Sequence, residues 1–304
     1  MLYWLLYEQL YPNIIPFPLF RYVTFRTAFA GMTAMLLSIL LGPWMIRRLR
    51  ELQIGQHIRE EGPKSHAKKA GTPTMGGLLI IVSIVVPSLL WANLKNPYPW
   101  VALAGLLSFG AIGFWDDYSK IKRQQNLGLT GRRKMLLQVV AALLVGVLLL
   151  VLHARGLYST NMNVPFFKQL RPDLLIDSLL GAPLTYPLAF VFFFGFLAVV
   201  LVGSANAVNL TDGLDGLAIG VSLANIMAFL IVAYLVSRVD FARYLYVPHI
   251  AGGGEIVVFL AALLGASLGF LWFNAHPAQV FMGDTGSMML GGALGTTAVL
   301  LKQE

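Results

Sequence analysis

Asn206-Ala-Val-Asn209-Leu-Thr211-Asp212-Gly213-Leu214-Asp215-Gly216-Leu217 is a short polar island between two apolar runs, residues 187–205 and 217–236. Each run reaches the roughly 18–20 residues that a helix needs to cross about 30 Å of hydrocarbon. The island therefore lies where one membrane helix ends and the next begins. Carboxylates at such a place are functional candidates. The plainer alternative is an Asp-Gly turn in which Asp212 or Asp215 caps the following helix.

The rest of the chain reads the same way. Its 304 residues are 57% hydrophobic and 12% charged, with a mean hydropathy of +0.72. Soluble domains carry about 25% charged residues, so the composition predicts an all-α, polytopic membrane protein. Eight apolar stretches qualify as spans: 27–46, 75–94, 99–115, 135–152, 187–205, 217–236, 256–273 and 286–301. Residues 1–20, aromatic and Pro-rich, read as an interfacial segment. Residues 153–186 read as a connector with a short hairpin or surface helix. The chain has no cysteine, which excludes disulfides and thiolate metal sites.

Charge sets the topology. The net charge is +8, but loops 47–74 and 116–134 hold seven and six of the twenty-two Lys and Arg. That clustering is the positive-inside pattern and not a nucleic-acid surface. It places both loops in the cytoplasm and the amino terminus in the periplasm. By alternation, loops 206–216 and 274–287 are cytoplasmic too, yet they contain no Lys or Arg. They carry Asp212, Asp215 and Asp284. With Asp116 and Asp117, five of the fourteen acidic residues converge on one membrane face.

Adjacent carboxylates at Asp116-Asp117 repel and call for a cation. Mg²⁺ takes oxygen ligands and commonly joins one or two carboxylates to substrate phosphates. Asp284 lies in Phe281-Met-Gly-Asp-Thr-Gly-Ser287, a Gly-flanked helix start of the kind that receives phosphate on free N–H groups. Lys69 and Thr74 bracket a Gly-Thr-Pro turn, as phosphate ligands or as a topology charge and a helix cap. Lys120 and Lys134 belong to the second basic loop, where an anionic lipid phosphate would settle; its lysines and arginines serve equally as topology anchors. The five histidines show no zinc-ligand spacing. Carboxylates, glycines and lysines together point to metal-bridged pyrophosphate chemistry at the membrane surface. An ion-coupled transporter is the competing class, although it would hold its carboxylates near the midplane on broken helices.

Four motifs, Gly71-Thr-Pro-Thr-Met-Gly-Gly77, Asp116-Asp-Tyr-Ser-Lys120, Asn209-Leu-Thr-Asp-Gly-Leu-Asp-Gly216 and Pro277-Ala-Gln-Val-Phe-Met-Gly-Asp-Thr-Gly-Ser287, resemble in order those of the bacterial phospho-N-acetylmuramoyl-pentapeptide-transferases. These form a family of the polyprenyl-phosphate N-acetylhexosamine-phosphate transferases. The resemblance implies one integral membrane transferase domain over 1–304, in a ten-helix fold, commonly homodimeric, with a cleft facing the cytoplasm from the bacterial inner membrane. It also implies two further helices and a His-rich loop beyond Glu304, so the chain is expected to be C-terminally incomplete relative to the family. The implied reaction moves phospho-N-acetylmuramoyl-pentapeptide from its UDP-linked precursor to undecaprenyl phosphate, with Mg²⁺, releasing UMP. UDP-N-acetylglucosamine is the alternative donor. By the same resemblance Asn209, Asp212, Gly213, Leu214 and Asp215 line the uridine side and Phe281 stacks on uracil. From charge placement, Asp284 is expected to ligate the metal. One of Asp116 and Asp117 is expected to act as base or covalent nucleophile, with Asp116 the favoured base and Asp117 the orienter or metal partner.

Overall fold

The computed structural model describes residues 1–10, 18–52, 72–123, 128–164, 167, 170–175 and 185–304. It is almost wholly helical. A π-helical segment, Tyr3–Leu10, precedes α1 (Val23–Glu51), α2 (Gly77–Trp91), α3 (Tyr98–Arg123), α4 (Gly131–Ala154) and α5 (Thr185–Thr211). Then follow α6 (Leu217–Ser237), the short α7 (Val239–Leu245), α8 (Gly254–Asn274) and α9 (Gly283–Leu301). Every apolar stretch of the sequence falls on a helix. Among the described residues six helices, α1, α3, α4, α5, α6 and α8, are long and apolar enough to cross a membrane.

Two of the eight expected spans differ. α2 has only 15 residues. α9 has 19, but its five glycines and three threonines lower its hydropathy. The reason lies in its position. α9 is buried from Thr285 to Leu301, packed by α3, α5, α2 and α6, so it needs no lipid-facing side. α8 is also central, buried over most of its length against α1, α6 and α2. The outer helices turn apolar side chains outward, among them Leu36, Leu40 and Trp44 on α1 and Val191 and Val199 on α5. That belt, with no water-seeking face, makes this a membrane protein.

Helices also reach further than composition indicated. Asp116 and Asp117 do not begin a loop: α3 continues through them to Arg123. An Asp116–Lys120 ion pair one turn apart and basic residues in the last turn support the extension. Asn206, Asn209 and Thr211 likewise belong to the last turns of α5. In the 153–186 connector the hairpin amounts to one antiparallel bridge, Asn161 to Asp173, among the described residues.

At the end of the bundle away from these carboxylates, Arg26 and Glu255 form a buried, two-pronged ion pair at 2.7 and 2.8 Å. Arg26 also donates to the Trp91 carbonyl, and Glu255 accepts from the Asn93 N–H. α1, α8 and the end of α2 are thereby fastened at one point.

Candidate active site

The start of α9 is the keystone of the site. Asp117, buried on α3, accepts the N–H of Asp284 at 3.1 Å, the N–H of Thr285 at 2.8 Å and the Thr285 hydroxyl at 2.7 Å. A carboxylate from one helix thus caps the free N–H groups of another. Gly283 makes this possible. Its φ is +72°, and a Cβ there would lie 2.6 Å from Asp117 Oδ2 and 3.0 Å from Thr74 Oγ1. Gly113, one turn before Asp117, lies directly under the Asp284 carbonyl, where a Cβ has no room.

With its backbone held, Asp284 projects into a cluster of opposite charge. Its Oδ2 accepts Lys120 Nζ at 2.8 Å and Lys134 Nζ at 2.9 Å, and its Oδ1 accepts Asn209 Nδ2 at 2.8 Å. Asn209 also donates to Ser287 Oγ at 2.9 Å and faces Lys134 at 3.4 Å. Asp116 holds Lys120 through Oδ2 at 2.6 Å and the Leu129 N–H through Oδ1 at 2.7 Å. Four helices therefore meet here: α3, α4, α5 and α9.

Two loops close the sides. The Gly71–Gly77 motif, described from Thr72, pairs backbone to backbone with the Phe281 region. Phe281 N donates to the Pro73 carbonyl at 2.8 Å, and Gly76 and Gly77 donate to Phe281 and Met282 at 2.9 Å. On the other side Asn274 accepts from Gly216 N at 3.1 Å and donates to the Val280 carbonyl at 2.9 Å, tying the 212–216 turn to the loop before α9.

Asp212 and Asp215 do not cap α6. That helix starts at Gly216 in the left-handed region, with no side-chain cap. Asp215 turns away and takes His276 Nδ1 at 3.1 Å and the Ala278 N–H at 3.4 Å. Asp212 has no hydrogen-bonded side-chain partner among the described residues. Burial, then the nearby Asp284, Asp117 and Asp215 charges, push its carboxyl up to about 7. Gly213 and Leu214 are exposed at the turn. Lys69 lies outside the described residues.

Of the residues expected at the site, Asp116, Asp117, Lys120, Lys134, Asn209 and Asp284 meet directly. Thr74, Phe281 and the 212–215 turn border them. Sequence reasoning missed Thr285, Ser287, Asn274 and Gln138, which pairs with Asn206 one turn below Lys134. Thr285 and Ser287 stood inside a quoted motif; Gln138 and Asn274 carry no spacing signal of their own.

Asp116, Asp117 and Asp284 each offer a carboxylate oxygen, all within 4.8 Å of one another. Three hard oxygen donors so close suit a divalent cation.

Comparison with known proteins agrees with this geometry. Residues 99–302 match the family model described as Glycosyl transferase family 4, and residues 69–81 match phospho-N-acetylmuramoyl-pentapeptide-transferase signature 1. The whole chain is 56% identical to the phospho-N-acetylmuramoyl-pentapeptide-transferase of Solibacter usitatus and covers 80% of it. The enzymes of the same name from Koribacter versatilis and Syntrophus aciditrophicus are 54% and 49% identical, covered to 81% and 79%. About half the residues being shared over the whole length, together with the two family matches, places this chain among the phospho-N-acetylmuramoyl-pentapeptide-transferases of glycosyl transferase family 4.

Proposed function

We propose that the chain transfers phospho-N-acetylmuramoyl-pentapeptide from UDP to undecaprenyl phosphate at the cytoplasmic face of the bacterial inner membrane. This is the step that makes the first lipid-linked intermediate of peptidoglycan. One observation carries the reading: Asp284, at a Gly-flanked helix start, is joined by Lys120 and Lys134 from two other helices. A soluble nucleotide and a lipid phosphate can meet at such a helix-end site. A midplane transporter site would lie elsewhere.

The chemistry is displacement at phosphorus. An oxygen of the lipid phosphate bonds to the sugar-bearing phosphorus, and the bond from that phosphorus to the bridging oxygen breaks. The electron pair leaves with UMP. Phosphate monoesters have a second pKa of about 6, so at neutral pH the attacking phosphate is mostly dianionic and needs no base. Charge neutralisation then dominates. Lys134, steadied by Asn209, faces the anions. Mg²⁺ would be held by Asp284 and Asp116 and would offset charge on the pyrophosphate. Asp117 has both oxygens engaged by α9, so its part is to fix Asp284. Of the two parts expected of Asp117 from sequence, orienter and metal partner, this takes the first, and it moves Asp116 from the expected base to a metal ligand. The 212–215 turn and Phe281 form the nucleotide side, and Lys69 and Thr74 the phosphate side. The working unit is a homodimer.

Full-length protein in nanodiscs, offered both sugar nucleotides with undecaprenyl phosphate, tests the proposal through UMP release. Turnover of UDP-N-acetylmuramoyl-pentapeptide is expected. Turnover of UDP-N-acetylglucosamine alone would overturn it.

A further inference from the structure

Lys120 and Lys134 both reach Asp284 Oδ2, but they are built differently. Lys134 is 17% exposed and is steadied by Asn209 at 3.4 Å. Lys120 is 33% exposed and leans across the acidic cluster itself. Its ammonium is 2.6 Å from Asp116 Oδ2, 2.8 Å from Asp284 Oδ2 and 3.8 Å from Asp117 Oδ1. These are the three carboxylates whose oxygens lie within 4.8 Å of one another.

We propose that Lys120 is a displaceable placeholder for the divalent cation: its ammonium holds the Asp116 and Asp284 carboxylates until a metal ion drives it out. The inference rests on the metal-bearing reading of this site.

Space and charge argue for exchange over coexistence. Mg²⁺ binds carboxylate oxygens at about 2.0–2.1 Å, inside the volume of an ammonium that touches the same oxygens. A protonated amine has no lone pair, so it cannot become a ligand beside the ion. It can only repel it. The lysine stem is flexible, and Lys120 is the more exposed of the two ammonium side chains, so it can swing outward without moving α3. Outward is also where a pyrophosphate would arrive and give the freed ammonium a new partner. Metal entry and anionic substrate would then favour each other, while Lys134 stays in place as the fixed positive charge.

The test uses full-length protein in detergent without substrate. Mn²⁺, visible by electron paramagnetic resonance, serves as the probe. Lys120→Gln should bind Mn²⁺ on the order of tenfold more tightly than wild type, since one competing and repelling charge is gone. Lys120→Arg, which keeps the charge, should not tighten. Adding Asp284→Asn to Lys120→Gln should abolish the gain, which ties it to this cluster. Melting curves establish that each variant is folded.

Weaker or equal Mn²⁺ binding by Lys120→Gln would overturn the inference and make Lys120 a plain structural clamp. Tightening that survives Asp284→Asn would overturn it as well, since the ion would sit elsewhere. A different failure is also readable: if neither wild type nor any variant binds Mn²⁺, the metal reading falls and the placeholder falls with it.

Discussion

Gln138 on α4 and Asn206 on α5 exchange their side-chain amides. Gln138 Nε2 donates to Asn206 Oδ1 at 3.2 Å, and Asn206 Nδ2 donates back to Gln138 Oε1 at 2.8 Å. One turn nearer the site on the same two helices stand Lys134 and Asn209, the pair that holds Asp284. The amides fix the register of α4 against α5, and the register fixes where the ammonium arrives. Gln138→Leu should cost about 1–3 kcal/mol by leaving Asn206 short of a partner, and should lower turnover as well. The exchanged double variant, Gln138→Asn with Asn206→Gln, restores an amide pair and should recover activity over either single change. Turnover of the three variants at saturating substrate checks this.

Asp117→Ala should destabilise more than Asp116→Ala. It strips acceptors from two backbone N–H groups and a hydroxyl at the buried start of α9, worth about 1–3 kcal/mol for each buried group left unpaired. Thermal unfolding should show the difference, with Thr285→Val falling between Asp117→Ala and wild type.

Gly113→Ala drives a methyl group into the Asp284 carbonyl and must push α3 off α9. Loss of both activity and thermal stability is expected. Gly220, inside α6, has open space at its Cβ position. Gly220→Ala should be neutral or stabilising by about 0.5–1 kcal/mol, because alanine suits a helix interior better.

Asp212 gives a pH signature. Its carboxyl is raised in the folded protein to about 7 from an ordinary 3.8. The folded state therefore holds a proton that the unfolded chain releases, and this contribution to stability is fully present below about pH 4. It is lost as pH rises towards 7, at no more than about 1.4 kcal/mol per pH unit for one proton. Asp212→Asn removes the titration. Its melting temperature relative to wild type should climb between pH 5 and pH 8, and an unchanging difference would count against the burial of Asp212.

The frame of this protein was legible because lipid imposes long apolar runs, and the basic loops marked one face. The acidic residues of the site were legible for a related reason, since carboxylates are scarce in such a chain and stand out. What spacing does not carry is contact between elements. Asp116 and Asp117 look equivalent in sequence, and only the arrival of α9 makes one a cap and the other a partner of Lys120. Asp215 reads like Asp212 until the His276–Ala278 loop takes its carboxylate. Gln138 is an unremarked amide in an apolar run until Asn206 comes opposite it. α9 fell short as a span for the same reason: burial on every side relaxed the demand for hydropathy.

The Arg26–Glu255 fastening has a mechanical reading. It sits at the first turn of α8, whose last residue, Asn274, holds the 212–216 turn against the loop before α9. From Glu255 to Asn274 the rod is ~28 Å long at 1.5 Å per residue, so a tilt of only ~5° about its anchored end sweeps Asn274 through ~2.5 Å. That is nearly a whole hydrogen-bond length. Fixing Glu255 therefore limits the angular error of the whole rod, and with it the error in where Asn274 meets Gly216.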